Sequence, residues 1–214
     1  SADDMEAVYT LGMVRKGAPG RPIYEALMAS APRGICPYCG SRTVRTLDHH
    51  LPKAHYSCLV VTPDNLVPSC SDCNKDKSDT IPNTGLEVAL HPYFDHLGDG
   101  IWLVATVHYT SPVALVFGVS PPPYWTSELR LRVLRHFQTL KLGPLYGSLA
   151  GNEVSGIAHY LAKLHAAGGC IQVSQYLSEI GVSIANSQPN SWRAATYRAL
   201  AGSEWFCERG FRAV

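Results

Sequence analysis

Apolar and polar positions change rhythm along this 214-residue chain. In "DDMEAVYTLGMV" acids occupy the first turn and apolar residues follow at helical spacing, which predicts a helix. "GAPGRP" interrupts it, and "IYEALMASA" predicts a second short helix ending near residue 32. From 33 to 80 the periodicity is lost in a polar, cysteine-rich stretch broken by prolines, and "DTIPNTG" then reads as a loop. Beyond Leu90 the pattern turns β-branched. "IWLVATVHY" and "PVALVFGV" predict two strands joined by a short "TSP" turn. "SPPPYWT" punctuates the chain, with Thr126 or Ser127 as N-cap of a helix over "ELRLRVLRHFQTLKL". Helices over Leu145 to about Ala167, Cys170 to about Ala185 and Ser191 to Ala201 complete the chain, separated by glycine-rich breaks. There is no internal repeat and no low-complexity tract.

The pattern predicts an α+β protein in three parts: an N-terminal helical segment over 1–33, a compact module over 34–84, and a C-terminal region over 85–214 made of two strands followed by a helical bundle. A content of 46% hydrophobic and 16% charged residues is ordinary for a globular protein with a real core. The apolar runs are far too short to span a bilayer. "SADDMEAVYT" lacks the basic and apolar regions of a signal peptide, so a cytoplasmic location without membrane attachment is expected. A net charge of +1 neither supports nor excludes nucleic acid, because phosphate binding needs a local basic patch.

The seven cysteines change the picture. In a reducing compartment they argue against a disulfide framework. Cys36 and Cys39 make one Cys-x-x-Cys knuckle, and Cys70 and Cys73 make another. A redox Cys-x-x-Cys usually stands alone beside a βαβ unit, whereas two matched knuckles complete the tetrahedron that zinc prefers. Four cysteine ligands leave no open position, so the expected zinc is structural. Cys58, Cys170 and Cys207 fall outside the pattern and read as small buried or half-buried residues.

Between the knuckles lies "LDHHLP". If Leu47 to Leu51 is a strand, Asp48 and His50 share one face and His49 takes the other. Asn74 directly follows a cysteine ligand, so a fixed ion would hold it in place. A carboxylate and an amide oxygen near a histidine suit a hard cation such as Mg²⁺, and a neutral histidine beside that cation can take a proton from water.

Taken in order, "CPYC", "LDHHLP", "DNLVPSC" and "CSDCNKDK" resemble the HNH nucleases, also called ββα-metal nucleases, over about Gly34 to Asp79. The resemblance implies a zinc-stapled ββα module that hydrolyses DNA phosphodiester bonds by a one-metal mechanism. In it Asp48 and Asn74 hold Mg²⁺ or Mn²⁺, and His49 is the general base. Asn65 pins the loop and orients the histidine, and Lys77 lies near phosphate. Two departures stand out. His50 occupies a place usually held by an aliphatic residue, making it a rival base that reads better as structural or substrate-facing. "AHYSCLVV" replaces the family's frequent Gly-Gly, with His55 expected to be exposed. The resemblance also brings DNA as partner and, by analogy with antiphage systems, a partner ATPase or targeting subunit; a homo-oligomer is a further expectation. The rival class is a zinc-ribbon-like adaptor that binds nucleic acid or protein without catalysis. Intact Asp48, His49, Asn65 and Asn74 favour the nuclease.

Outside the motif, His91, Asp95 and His96 in "LHPYFDH" complete no tetrahedral set and read as a capped turn packed by Tyr93 and Phe94. "SPPPYW" reads as a rigid turn seating Trp125. Arg130, Arg132, Arg135, His136 and Lys141 make either a solvated helix face or a track for a DNA backbone.

Overall fold

The computed structural model describes residues 2–77 and 88–213. The "DTIPNTG" loop and the expected module boundary at residue 84 lie outside the described residues. The chain forms two compact units, Ser1–His96 and Leu97–Val214.

In the first unit, α1 (Ala2–Tyr9) runs into a π-helical turn (Thr10–Val14), and α2 (Arg21–Ala29) follows. Asp3 and Asp4 sit in the first turn of α1, where the helix dipole favours negative charge. Pro22 stands in the first turn of α2, where a missing N–H costs nothing. Tyr9 and Met13 are buried with Leu47, Val60 and Leu66, and Tyr24, Leu27 and Met28 close the cluster. The N-terminal helices are therefore packed on the module that follows.

That module is a ββα unit. Strand β1 (Thr46–His49) pairs antiparallel with β2 (Leu66–Ser69), in a register that sets Thr46 opposite Ser69 and His49 opposite Leu66. Helix α3 (Ser71–Lys77) completes it. β1 is shorter than the expected Leu47–Leu51. The His50 amide still reaches Asn65 O at 2.8 Å, but Pro52 has no N–H to extend the ladder. Residues 88–96, read from sequence as part of the C-terminal region, lie with this unit. Here His91 Nε2 donates to Asp64 O (3.0 Å) and Tyr93 Oη to Leu66 O (3.0 Å).

The second unit begins with the hairpin of β3 (Leu103–His108) and β4 (Ala114–Val119), as the alternation predicted. Trp125 is buried against Gly100, where a Cβ would fall 2.4 Å from the indole, so the turn "SPPPYW" seats its tryptophan as expected. Thr126 caps α4 (Ser127–Thr139) by accepting from Leu129 N at 3.2 Å. α4 ends earlier than the sequence suggested, because Lys141 adopts a left-handed conformation (φ 50°) and α5 starts at once, spanning Leu142–Ala185. Its two arms meet at Gly168 and Gly169, and the φ of +68° at Gly169 explains why glycine breaks the pattern there. α6 (Trp192–Ala201) is capped by Ser191, and α7 (Glu204–Glu208), unforeseen in sequence, by Ser203. Asn190 ties helix to sheet: its Oδ1 accepts from Trp102 N (2.8 Å) and Leu103 N (3.2 Å), and its Nδ2 donates to Gly100 O (2.8 Å). No described helix is long and apolar enough to cross a membrane.

Candidate metal centre and nuclease site

The two knuckles meet. The sulfurs of Cys36, Cys39, Cys70 and Cys73 lie within 4.8 Å of one another, and all four residues are buried. Sulfurs about 2.3 Å from a common zinc stand about 3.8 Å apart in a tetrahedron, inside that bound, so the donor set fits a closed tetrahedral site. Backbone amides support the sulfurs, with Arg42 N donating to Cys39 Sγ (3.5 Å) and Cys73 N to Cys70 Sγ (3.4 Å). This is the one metal-competent cluster of His, Cys, Asp and Glu among the described residues. Of the other cysteines, Cys207 is buried and Cys170 half-buried, but Cys58 is exposed on the 3₁₀ turn Ser57–Leu59, against expectation.

Beside the zinc frame, a cavity of about 280 Å³ is lined by Asp48, His49, Lys53 and Asn74, with Tyr9 and Tyr24 of the N-terminal helices among its other walls. Strand alternation separates the two histidines as predicted. His49 lines the cavity, its Nε2 lies 2.9 Å from Val60 O, and Tyr9 meets its ring edge-on at 4.6 Å. A carbonyl can only accept, so Nε2 carries the proton and Nδ1 the lone pair. Burial pushes the His49 pKa below the usual imidazole value, which keeps the ring neutral.

His50 faces the opposite way. Its ring packs on His91 at 4.1 Å between centroids, and its Nδ1 lies 3.2 Å from Tyr38 Oη. Since Tyr38 donates its hydroxyl proton to Asp48 Oδ2 (2.9 Å), it accepts from His50. His50 is buried and does not line the cavity.

Asp48 is 4% exposed. Burial is the largest influence on its carboxyl, raising the pKa to about 6 against the opposing pull of Lys77 and the Tyr38 hydrogen bond. Asn65 is buried and engaged. Its Oδ1 accepts from Leu51 N (2.8 Å), and its Nδ2 donates to Leu51 O (3.1 Å) and Leu59 O (3.3 Å). It thus fixes the loop just before Val60, the residue that orients His49. Lys77 is engaged by protein groups. Its ammonium donates to His49 O and His50 O, both at 2.8 Å, and pairs with Asp48 Oδ2 at 3.3 Å. Its bonds are to protein groups, and it does not line the cavity.

Sequence reasoning missed Tyr38, Tyr9, Lys53 and Val60. Tyr38 was visible inside "CPYC" and Lys53 just after the motif's proline, but the pairing of the others depends on the fold. The "LHPYFDH" segment is a capped turn, with His91 N donating to Asp95 Oδ2 at 2.6 Å. Phe94 packs its ring at 4.6 Å from that of His91 while remaining largely exposed. On α4, His136 is buried and Arg132 half-buried, while Arg130 and Arg135, and Lys141 just beyond the helix, are exposed, so the five residues do not form one exposed stripe.

A zinc-stapled hairpin and helix presenting Asp-His and Asn to one cavity defines a class, and residues 36–80 match the HNH endonuclease family. The chain belongs to that family. Along most of its length it is also similar to Protein ea31 of Escherichia phage lambda, at 31% identity over 216 residues covering 94% of this chain and 73% of that protein. No solved structure matches it.

Proposed function

We propose that this protein is a divalent-cation-dependent endonuclease that hydrolyses DNA phosphodiester bonds, with His49 as general base and Asp48 and Asn74 as cation ligands. The observation that carries the reading is the His49 ring. It is held by Val60 O with Nδ1 unprotonated, in the wall of a cavity shared with Asp48 and Asn74. Two oxygen donors on that wall fit a hard cation such as Mg²⁺ or Mn²⁺, with water and the scissile phosphate completing the shell. When bound, the cation supplies charge neutralisation at the phosphate and at the leaving oxygen. His49 Nδ1 takes a proton from the water that attacks phosphorus. The bond from phosphorus to the 3′ oxygen breaks in line, leaving 5′-phosphate and 3′-hydroxyl ends. Asn65 holds the loop that orients the base.

A plasmid nicking assay tests the reading. Zinc-replete protein should cleave with Mg²⁺ and stop with EDTA, and His49→Ala should lose about 10²–10⁴ in rate with zinc content intact. Full cleavage by His49→Ala, or cleavage that persists in EDTA, would sink it and leave the adaptor reading. Expectations of a partner ATPase and an antiphage role rest on analogy alone, and a relative encoded by a phage gives them no support.

A further inference from the structure

Among the described residues, the side-chain polar contacts of the Asp48 carboxylate come from the two elements that carry the cysteine knuckles. Tyr38 lies between the ligands Cys36 and Cys39, is 2% exposed, and donates its hydroxyl proton to Asp48 Oδ2 at 2.9 Å. Lys77 lies on α3, the helix that carries Cys73 and Asn74. At 9% side-chain exposure it reaches the same oxygen at 3.3 Å. Its spacing of three and four residues from Asn74 and Cys73 puts all three on one side of the helix. The same ammonium holds the carbonyls of His49 and His50.

We infer that Tyr38 and Lys77 are positioning residues: together they clamp Oδ2 of Asp48 and the His49–His50 backbone, aim the other carboxylate oxygen at the catalytic cation, and make the zinc frame the support of the active site. The inference rests on the reading of Asp48 as a cation ligand. It assigns Lys77 away from the DNA phosphate, where the resemblance puts it. A carboxylate with one oxygen fixed by two donors loses its rotational freedom, and neither bond engages Oδ1. The phenol is itself held from behind, because His50 Nδ1 donates to it and the His50 ring packs on His91. The clamp therefore has three anchors: the first knuckle through Tyr38, the second knuckle through Lys77, and the 88–96 segment through His91 and His50. Partners of this kind around metal ligands commonly carry a 10- to 100-fold effect on metal affinity or activity, of the order of about tenfold or more here.

The test uses the full zinc-loaded chain and four measurements: zinc per chain, Mn²⁺ affinity without DNA by electron paramagnetic resonance, cleavage kinetics, and the salt dependence of DNA binding. Tyr38→Phe keeps the ring and removes only the hydroxyl. It should retain zinc and a cooperative fold at the assay temperature, weaken Mn²⁺ binding about tenfold, and lower kcat with KM for DNA nearly unchanged. Lys77→Met should also lower kcat, while the slope of log affinity against log salt stays at the wild-type value. A lysine on duplex phosphate would instead reduce that slope by about 0.9 on removal. If Lys77→Met fails to fold, Tyr38→Phe decides. Wild-type Mn²⁺ affinity and kcat in Tyr38→Phe, or a reduced salt slope in Lys77→Met, overturns the clamp. Asp48→Ala separates this from failure of the underlying reading. Undiminished Mn²⁺ binding and cleavage in Asp48→Ala overturns the cation site itself, whereas an inactive Asp48→Ala beside an unaffected Tyr38→Phe overturns only the positioning role.

Discussion

Among the described residues, the buried polar side chains of the first unit are Asp48, His49, His50, Asn65, Ser69 and His91; those of the second are His136 and Thr196. Burying a polar group is unfavourable unless it is hydrogen-bonded, so a small fold that buries six of them must supply partners for each. The first unit does so with an ordered set of contacts: Asn65 on the Leu51 backbone, Lys77 on two carbonyls, His91 on Asp64 O. Its apolar cluster is modest, built around Tyr9, Met13, Leu47, Val60 and Leu66. The second unit takes the other route, with fully buried Leu103, Val133, Leu161, Leu177, Leu200 and Phe206 filling the space between helices and hairpin. One unit combines a polar network with a four-cysteine cluster that fits a zinc ion, the other relies on packed apolar surface. Perturbations should therefore sort by unit.

The largest effect should follow loss of the ion. Structural zinc contributes apparent binding free energies of about 10–16 kcal/mol in small zinc domains, and that energy is folding energy. Cys36→Ser should unfold the first unit and release zinc, while amide hydrogen exchange stays slow in the helices of 97–213. A first unit that remains folded without zinc, or a second unit that unfolds with it, would break the comparison.

Next in size is a hole in the apolar core. Leu200 is fully buried on α6, and Leu200→Ala should cost about 2–5 kcal/mol of stability in the second unit. Zinc stoichiometry, and Mn²⁺ binding below the new melting temperature, should stay at wild-type values. Loss of zinc in this variant would mean the two interiors are not independent.

A smaller effect is expected at the amide pin. Asn65→Ala leaves the Leu51 N–H and two carbonyls without their side-chain partner, a cost of about 1–3 kcal/mol. Because the loop it holds leads into Val60, cleavage should fall with stability, and the fall should persist well below the melting temperature. An Asn65→Ala protein as active as wild type at low temperature would reduce Asn65 to a purely structural role.

The parts of this molecule that were legible in sequence are those set by local chemistry. Matched Cys-x-x-Cys spacing gave the zinc cluster, period-2 alternation gave the opposite facing of His49 and His50, and Thr126 and Gly169 marked a cap and a break because hydroxyl capping and positive φ are properties of single residues. What stayed hidden depends on contacts across the chain. Tyr38 looks like filler inside a knuckle until the hairpin brings Asp48 under its hydroxyl. Lys77 reads as a residue near phosphate, and nothing local says that its ammonium will also reach the His49 and His50 carbonyls. Tyr9 reads as one apolar position of an amphipathic helix, and nothing local says that it will meet the His49 ring. The start of α5 at Leu142 was missed because the left-handed Lys141 that separates it from α4 carries no glycine signal.

The smallest effect is a shift along the pH axis, and it follows from the polar interior of the first unit alone. Burial raises the Asp48 pKa to about 6, so without a cation this carboxyl takes up a proton as pH falls through that value. The protonated form is a poor ligand, and cleavage at low Mg²⁺ should drop with a midpoint near pH 6. A bound dication favours the carboxylate, so proton and cation compete for one site. Once Mg²⁺ exceeds its dissociation constant, each tenfold increase should lower the acid midpoint by about one pH unit. The His49 pKa is also lowered, by burial first, and a neighbouring cation pushes it the same way. A lowered pKa widens the pH range in which this base is neutral, so base and carboxylate are both lost to the rate only as pH falls. Rate profiles at three Mg²⁺ concentrations check this. A midpoint that moves down as Mg²⁺ rises supports the competition, whereas a midpoint indifferent to Mg²⁺ would mean that the cation does not compete with a proton at Asp48.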